Sequence, residues 1–357
     1  MTLIYKKMNY FEPLSDVIDD RSVRQVHELI ENSRQILITA HLSPDGDALG
    51  ASLGLYHFLK SKKKNVKLMV PNSFPYFLKW MAGSDEILVY EYNPKAARVI
   101  FDHTDLIFSI DYNIPKRVGN MAFLLEKSDA KKVLIDHHLF PGDIYDVVIS
   151  YPRISSTSEL VFRLLYQADK YEEIDKTVAE CIYCGMMTDT GGFTFNSNNP
   201  EIYLIISLLL RKGIDKDRIY SLVYNNLTED RFRLLGFTLS QRMKVYPDLH
   251  TALIWLSLED QKQFSYNKGD TEGFVNYPLS IKNIIFSAFI REDEELVKLS
   301  FRSQNTFPTN EFAARFFDGG GHLNASGGEF YGTLEEAVSF FENGIGLYAE
   351  KLKNEIN

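Results

Sequence analysis

The segment at residues 41–47 concentrates possible metal ligands directly after an apolar run. It reads HLSPDGD and follows QILITA at 35–40. His41, Asp45 and Asp47 offer one imidazole and two carboxylates, and the proline and glycine between them allow a stiff, tight turn. One short loop could therefore supply ligands to more than one metal ion.

Three later segments contain the same kinds of side chain. Asp111 closes the apolar run LIFSID, and Asp136, His137 and His138 close VLIDHH. Asp189 lies in GMMTDTGGF, between a helical pattern and two glycines. Oxygen-rich ligand sets with one or two imidazoles suit Mn²⁺ better than a structural Zn²⁺, and suit Mg²⁺, Fe²⁺ or Co²⁺ less well. The residue types therefore predict a manganese centre.

The candidate ligands are too many for a single ion. They are His41, Asp45, Asp47, Asp111, His137 and Asp189. A pair of ions about 3.5–4 Å apart that shares one carboxylate accommodates such a set, as in two-metal hydrolases. A pair of this kind holds a phosphate and lowers the pKa of the water between the ions.

Each of these residues taken alone has a simpler interpretation. Asp45 or Asp47 could cap the N-terminus of the following helix, as aspartates after strands often do. His137 could be a buried structural histidine. The repetition of such groups at four strand or helix ends within one domain makes the metal-site interpretation the stronger one.

Apolar strands that alternate with amphipathic helices place these residues in an α/β domain. Strands are predicted at 35–40, 65–70, 105–111 and 131–138, and helices at 21–33, 46–61 and 75–82. This order predicts a parallel sheet with helices on both faces. Ligands bind such sheets at the carboxyl ends of the strands, where the candidate ligands lie.

The pattern changes to helices from about residue 155, where Ser156 and Glu159 have the spacing of a capping box. Further helices are predicted at 175–187, 200–212, 215–226 and 229–242. They are followed by strands at 250–258, 283–292, 295–303 and 327–332 and a helix at 333–353. We therefore predict three parts: a metal-binding domain at 15–195, a helical connection at 196–242 and a smaller mixed α/β domain at 243–350.

Composition excludes several classes of protein. The 357 residues carry a net charge of −9, which argues against a broad interface with a long nucleic-acid duplex but not against a short anionic ligand. Two cysteines cannot form a secreted disulfide framework, and no apolar run reaches the roughly 18–20 residues of a membrane span. The first 16 residues lack the features of a signal peptide. We expect a cytoplasmic protein.

The motifs in order resemble the DHH phosphoesterase superfamily. The segment HLSPDGDALG, the tripeptide DHH at 136–138, an aspartate before two glycines and DGGGHLNASGG at 318–328 carry the resemblance, which covers roughly 20–345. More narrowly, the chain is similar to DHH–DHHA1 enzymes of the NrnA-like type, which are short-oligoribonucleases and pAp phosphatases related to the RecJ exonucleases. DHH alone would be a weak match, but the full set in this spacing is specific.

The resemblance implies a role for each candidate ligand. One Mn²⁺ would be bound by His41 and Asp45, and a second by Asp47, His137 and Asp189, with Asp111 as the bridge. Asp136 would fix an imidazole or the loop, as metal-site histidines usually require. His138 would face the scissile phosphate. Asp111, Asp136 and His138 are thus the predicted catalytic residues.

The resemblance also implies substrate contacts in the C-terminal domain. The predicted substrate-binding residues are Arg302, Asn305, Gly319, Gly320, Gly321 and His322. Bare glycine backbone can approach a phosphate closely, and an arginine can bind one through a bidentate fork. A plain turn between helix and strand is the alternative for the glycines, and a surface arginine for Arg302. Many relatives have a fourth glycine where this chain has Asp318, which leaves the first N–H contact in question.

The family implies a phosphodiesterase that hydrolyses very short single-stranded RNA or DNA oligonucleotides, with phosphatase activity on 3′-phosphoadenosine 5′-phosphate (pAp). The alternatives are an inorganic pyrophosphatase or exopolyphosphatase, a cyclic-dinucleotide phosphodiesterase and, least favoured, a nucleotide-binding protein without catalysis. The GGGH motif favours nucleotides over pyrophosphate. No membrane and no long duplex is expected as a partner, and a homodimer is one alternative for the oligomeric state.

Overall fold

The computed structural model describes residues 14–354, so most of the segment considered for a signal peptide lies outside the described residues. The described chain divides into two compact units. The first comprises 14–74 and 78–223, and the second comprises 75–77 and 224–354. The predicted domain boundaries at 15–195, 196–242 and 243–350 stay predictions.

The first unit contains a six-stranded parallel sheet in the order β3-β2-β1-β4-β5-β6. Its strands are β1 (Gln35–Ala40), β2 (Asn65–Val70), β3 (Leu88–Val89), β4 (Leu106–Ile110), β5 (Lys131–Asp136) and β6 (Val147–Ser150). The strands β1, β4 and β5 are buried almost throughout, which explains why each reads as a continuous apolar run. The predicted parallel sheet is therefore confirmed, and β3 and β6 are additional edge strands.

Helices cover both faces of this sheet, as predicted. The helices of this unit are α1 (Asp20–Asn32), α2 (Gly46–Ser61), α3 (Pro94–His103), α4 (Ala122–Lys127), α5 (Thr157–Gln167), α6 (Lys176–Asp189), α7 (Pro200–Arg211) and α8 (Lys216–Tyr224), and α7 packs on α5 and α6. On one face, Phe101 of α3 and Leu125 of α4 pack with Leu37 and Ile107 of the sheet. The helix α2 is buried along nearly its whole length and packs against α5 and α6.

Two local predictions in the first half of the chain are wrong. The helix predicted at 75–82 is only a 3₁₀ turn, Tyr76–Leu78, and Gly83 at φ 78° then turns the chain away from helical geometry. The capping box before α5 is only half formed. The Ser156 hydroxyl accepts from the N–H of Glu159, but the Glu159 carboxylate accepts from Ser155 instead of returning to Ser156.

The second unit contains a mixed six-stranded sheet in the order β11-β12-β10-β9-β8-β7. Its elements are α9 (Glu229–Gln241), β7 (Met243–Tyr246), β8 (Thr251–Leu256), α10 (Leu258–Gln263), β9 (Phe286–Glu292), β10 (Val297–Ser303), α11 (Thr309–Phe316), β11 (Gly320–His322), β12 (Ala325–Phe330), α12 (Leu334–Leu347) and α13 (Ala349–Asn354). Only β8 and β9 pair in parallel. The closing helix predicted at 333–353 is interrupted at Tyr348, so it forms two helices.

An aromatic core joins one face of this sheet to its helices. Phe286 and Phe301 of the sheet pack against Phe312 of α11 and Phe341 of α12, with ring centroids 5.2–6.3 Å apart. No helix within residues 14–354 is long and apolar enough to cross a membrane.

Candidate metal centre

The candidate ligands converge because three neighbouring strands end at one edge of the parallel sheet. The strands β1, β4 and β5 are adjacent, and their carboxyl ends are followed by His41, by Asp111 and by the pair His137 and His138. Asp136 is the last residue of β5. Parallel strands bring residues that are far apart in the chain to the same edge, so the tertiary structure assembles the cluster that the spacing only suggested.

Asp111 is at the centre of the cluster. Its side chain is about 3% exposed, and its backbone adopts φ 64°, a conformation that aspartate tolerates better than most residues. One carboxylate oxygen lies 3.4 Å from Nε2 of His41, and the other lies 3.7 Å from Nε2 of His137. Asp111 therefore stands between two groups of potential ligands.

The first group consists of His41, Asp45 and Asp111, whose ligand atoms lie within 4.8 Å of one another. Nε2 of His41 is 3.7 Å from Asp45. Asp45 is also the N-cap of α2, because its Oδ1 accepts from the N–H groups of Asp47 and Ala48. The helix-cap interpretation is thus correct for Asp45, and its other oxygen still faces the cluster.

The second group consists of Asp47, Asp111 and His137, and Asp189 lies beside it. Nε2 of His137 is 3.5 Å from Asp189. Asp47 is 1% exposed and accepts from the N–H groups of Thr157 and Ser158 at 2.6 and 2.9 Å. The amino end of α5 therefore holds this carboxylate, although burial and the charges of Asp111 and Asp189 raise the pKa of Asp47 well above its ordinary value.

Thr157 and Ser158 are site residues that the sequence did not reveal. The hydroxyl of Thr157 donates to Asp111 at 2.7 Å, in addition to the backbone contact with Asp47. The sequence signal for these two residues is the start of a helix shortly after an apolar segment. That segment is β6. The position of β6 beside β5 brings this helix start to the cluster.

His138 and Asp136 form a pair at the margin of the cluster. Nδ1–H of His138 donates to Oδ1 of Asp136 at 2.6 Å, so Nε2 is the ring nitrogen that Asp136 does not engage. Oδ2 of Asp136 is buried and has no hydrogen-bond partner among the described residues. The pair orients the imidazole as carboxylates orient histidines in metal sites.

Burial and mutual charge shift the protonation of the cluster strongly. Burial alone would lower the pKa of His41, but Asp111 and Asp45 raise it to about 10. His137 follows the same pattern, with a pKa of about 9 because of Asp189 and Asp111. Burial raises the pKa of Asp189 to about 6. The cationic imidazoles of His41 and His137 thus offset part of the negative charge of the buried carboxylates.

The donor set fits divalent cations. Both His41 and His137 donate Nδ1–H to a backbone carbonyl, that of Leu42 at 2.9 Å and that of Ile154 at 3.2 Å. This arrangement directs Nε2 of each ring towards the carboxylates and is the usual arrangement of metal-binding histidines. Within residues 14–354, the ion pairs found for these carboxylates are all with histidines, so a metal ion would supply the missing positive charge.

In the second unit, Arg302 and His322 lie in one row across the sheet. Arg302 of β10 is in register with Ala325 of β12, and Ala325 is in register with His322 of β11. Two strand spacings of about 4.8 Å therefore separate the two backbones, and both residues project from the same face. Asn305 adopts φ 57° just beyond β10, and its carbonyl accepts from Asn324.

Close steric contacts explain the glycines beside His322, in addition to the phosphate binding predicted for them. A Cβ at Gly319 would lie 2.1 Å from the carbonyl oxygen of Gly327, whereas a Cβ at Gly320 would meet nothing within 4 Å. The N–H of Gly319 donates to Ala313. Asp318 has φ 44° directly after the end of α11, the left-handed position at which helices commonly terminate. Phosphate binding by Gly319, Gly320, Gly321 and His322 stays a prediction.

The fold and the site together define a two-unit α/β protein with a buried carboxylate–imidazole centre at the carboxyl edge of a parallel sheet, the arrangement expected of a metal-dependent phosphoesterase. Family models agree: the N-terminal domain of the DHH family matches residues 35–186, and the DHHA1 domain matches residues 250–346. The chain belongs to the DHH–DHHA1 family of phosphoesterases.

Relatives cover nearly the whole chain. An exopolyphosphatase-related protein from Bacteroides fragilis, known from its crystal structure, is 55% identical, with a TM-score of 0.91, 95% of this chain covered and 100% of the other. The bifunctional oligoribonuclease and PAP phosphatase NrnA of Thermus thermophilus is 27% identical over 320 residues, which cover 89% of this chain and 90% of the relative. RecJ from Thermus thermophilus, solved in complex with Mn²⁺, shares the fold at 13% identity and a TM-score of 0.56, with 95% of this chain and 56% of RecJ covered.

Proposed function

We propose that the protein is a metal-dependent phosphodiesterase that hydrolyses very short RNA oligonucleotides to mononucleotides and also removes a phosphate from pAp. The observation that carries this proposal is the position of Asp111 between two ligand groups, one with His41 and one with His137. The name of the Thermus thermophilus relative supports the nucleotide substrates. A cytoplasmic location agrees with two cysteines that are both free and buried.

Two divalent ions, which we propose to be Mn²⁺, would be held by the assembled cluster. The ligands would be His41, Asp45 and Asp111 for one ion and Asp47, Asp111, His137 and Asp189 for the other. When bound, the ions would neutralise the phosphate charge and lower the pKa of a water molecule at the site.

The protein's own groups would position the substrate for this reaction. Asp136 holds the ring of His138 through Nδ1, and Nε2 of His138 would face the scissile phosphate. The N–H groups of Thr157 and Ser158 hold both oxygens of Asp47, so this carboxylate is already oriented before substrate binds. Contacts of this kind hold a metal ligand in its binding geometry.

The second unit would contribute substrate binding through one face of its sheet. Arg302, Asn305, His322 and the backbone of Gly320 are the proposed contacts, and a guanidinium fork suits a phosphate. The open space above Gly320 would allow a phosphate or sugar to approach the backbone closely.

A substrate panel tests the proposal directly. The purified protein with Mn²⁺ is incubated with pAp, RNAs of two to five nucleotides, a 24-mer, pyrophosphate, polyphosphate and cyclic dinucleotides, and each compound is followed by chromatography. We expect rapid loss of the short RNAs and pAp. Faster loss of polyphosphate would instead favour the activity suggested by the name of the Bacteroides fragilis relative, and faster loss of cyclic dinucleotides would favour the alternative phosphodiesterase activity.

An Asp111→Asn variant serves as the inactive control in this panel. Asparagine tolerates the left-handed backbone at this position, so the variant removes charge without adding strain. We expect activity to fall by on the order of 10³-fold, because both ions lose a shared ligand. Asp85→Asn, at an exposed position of the same unit, should leave activity unchanged. Near-normal turnover by Asp111→Asn would contradict the bridging role.

A further inference from the structure

A buried group of polar side chains lies behind the candidate metal centre, on one face of the parallel sheet. Thr39 of β1 is in register with Ser109 of β4, and Ser109 is in register with Leu134 of β5. Side chains two residues apart on a strand share a face, so Asp136 projects from the same face as Thr39 and Ser109. All three polar residues are fully buried. The sheet thus brings two hydroxyls to the side from which the carboxylate that orients His138 projects.

The hydroxyls of this group form a directed chain. The Tyr112 hydroxyl donates to Ser109 at 2.7 Å, so it accepts from the Thr39 hydroxyl, which lies 2.6 Å away. Each hydroxyl has a single proton, so Ser109 accepts from Tyr112 and keeps its own proton to donate. The chain therefore ends in a donor, and a buried donor requires an acceptor nearby.

Two further polar atoms are buried without a hydrogen bond. They are Oδ2 of Asp136 and the hydroxyl oxygen of Tyr145, and neither has a partner in the part of the chain that the structure describes. Tyr145 lies just before β6, and the preceding residue, Ile144, packs on the apolar cluster that contains Tyr112. Buried polar groups are rarely left unpaired, so these two atoms indicate a hydrogen-bond partner that remains to be identified.

The two unpaired atoms belong to the same polar surroundings. Burial raises the pKa of the Tyr145 phenol most, and the nearby Tyr112 and Asp136 raise it further. Ser109 is also close enough to lower it. Burial likewise raises the pKa of Tyr112, with a smaller contribution from Asp136. Tyr145 and Asp136 thus lie near each other, although no direct hydrogen bond joins these two described residues. Polar groups at such a separation are commonly joined by a water molecule.

Oδ2 of Asp136 is the acceptor that this polar group provides. An ionised carboxylate only accepts hydrogen bonds, whereas the hydroxyls of Ser109 and Tyr145 each have a proton to donate. Oδ1 of the same carboxylate accepts from Nδ1–H of His138 at 2.6 Å. Buried waters typically have two to four polar partners, which these groups can supply. A carboxylate engaged at both oxygens is fixed, and it then fixes the imidazole that it holds.

We propose that Tyr145 is a positioning residue for His138 and acts through Asp136. A water molecule accepts from the Tyr145 hydroxyl and donates to Oδ2 of Asp136, so that both oxygens of the carboxylate are engaged. This arrangement orients the imidazole that the proposed function places at the scissile phosphate, and the inference rests on that function. Groups that orient the residues of metal sites commonly contribute roughly 10- to 100-fold to activity.

Tyr145→Phe tests this role, because it removes the hydroxyl and keeps the ring. We expect kcat for pAp with Mn²⁺ to fall about 10-fold while KM and Mn²⁺ affinity stay unchanged, because only the orientation of His138 is affected. Tyr171→Phe is the matched control. This half-buried tyrosine of the same unit lies beyond the far end of α5, and its hydroxyl donates to the carbonyl of Leu208 at 3.1 Å. The control should retain the parental kcat.

A double-mutant cycle separates positioning through Asp136 from general destabilisation. If Tyr145 acts through Asp136, Tyr145→Phe should lower kcat no further in a protein that already carries Asp136→Asn. A full second loss of about 10-fold in that background would instead show that the two residues act independently. An unchanged kcat in Tyr145→Phe alone would also overturn the inference.

An NMR measurement tests the same role without turnover. The Nδ1–H proton of His138 is observed in protein with isotope-labelled histidine and diamagnetic Mg²⁺, and is assigned by its loss in His138→Gln. We expect its exchange with solvent to be about 10-fold faster in Tyr145→Phe, as for the loss of one hydrogen bond, and parental in Tyr171→Phe. Equal exchange in all three proteins would overturn the inference. If the parent hydrolysed neither pAp nor short RNA but Tyr145→Phe still exchanged faster, the proposed function would fail and the positioning of His138 would stand.

Discussion

At the scale of single residues, the candidate metal centre contains groups that orient the candidate ligands as well as those ligands themselves. Asp111 adopts an unusual backbone conformation and receives the hydroxyl of Thr157, and Asp47 receives two N–H groups of the same helix end. Strained backbone and buried polar contacts of this kind are commonly found at functional sites. Removing a contact behind a ligand should therefore affect metal binding without changing the ligand set.

Thr157→Val tests this idea, because it removes the hydroxyl and keeps the shape. Asp111 would lose one hydrogen bond, so we expect Mn²⁺ affinity to fall about 10- to 100-fold. Mn²⁺ titration with activity and with calorimetry measures the change. Thr157→Ser retains the hydroxyl and should behave as the parent; unchanged affinity in Thr157→Val would show that the bond is dispensable.

At the scale of elements, close packing of α2 on α6 sets the position of the loop that carries Asp45 and Asp47. A Cβ at Gly50 of α2 would lie 2.6 Å from the carbonyl oxygen of Cys181 and 2.7 Å from the nitrogen of Gly185, both in α6. The backbones of the two helices thus touch at this point. Since α6 ends at Asp189, the same contact positions ligands from two parts of the chain.

Gly50→Ala should therefore destabilise the protein, although alanine favours helices. We expect a loss of about 1–3 kcal/mol from overpacking. The matched control is Gly236→Ala in the exposed part of α9, where a Cβ would meet nothing within 4 Å. This change should stabilise by about 0.5–1 kcal/mol. Denaturant unfolding measures both, and a stabilising Gly50→Ala would disprove the close contact.

Asp260 links α10 to the end of α9 and makes stability depend on pH. Burial raises the pKa of Asp260, but hydrogen bonds from Arg242 and Ser257 outweigh burial and lower it below its ordinary value of 3.8. A lowered folded-state pKa gives stability that is present above pH 3.8 and is lost as the pH falls through the lowered pKa.

Asp260→Asn should therefore cost stability at pH 7 and cost little in acid. The Arg242 side chain is 37% exposed, so we expect a loss of only about 1 kcal/mol at neutral pH. Chemical unfolding of parent and variant across pH measures the difference. Asp248→Asn, at an exposed position of the same unit, is the control and should show no such pH dependence. If Asp260→Asn lowered the free energy of unfolding by the same amount at every pH, the proposed linkage would be excluded.

At the scale of the whole molecule, net charge would limit the length of the proposed oligonucleotide substrates that the protein attracts. The chain carries 39 lysines and arginines against 48 acidic residues, and its net charge is −9. Outside a local binding site, each added phosphate of a nucleic acid would meet a surface of like charge. Electrostatic repulsion of this kind slows association and is screened by salt.

Chain length should accordingly reduce activity most at low ionic strength. We expect kcat/KM for a 24-mer RNA to be on the order of 10-fold below that for a dinucleotide in low salt, with the difference narrowing as salt is added. The control is a 24-mer whose outer linkages are uncharged methylphosphonates. Its kcat/KM should fall less far below that of the dinucleotide. A length effect independent of salt would point to steric exclusion instead of charge.

Much of the centre follows from the sequence by itself. Apolar runs that end in His41, Asp111 and Asp136 predict parallel strands whose carboxyl ends meet, because period and composition are local properties of the chain. Likewise, the predicted strands in both units agree closely with those observed. The helix predicted at 75–82 fails because a short apolar run cannot distinguish a helix from a turn.

Only the tertiary structure decided the contacts between residues far apart in the chain. The hydroxyl of Thr157 reaches Asp111 across 46 positions and its N–H reaches Asp47 across 110. The row that joins Arg302 to His322 also depends on strand register. In a sequence, an aromatic residue of the core looks like an aromatic residue of a binding site. Burial against distant elements separates these two kinds of residue, and the local pattern does not.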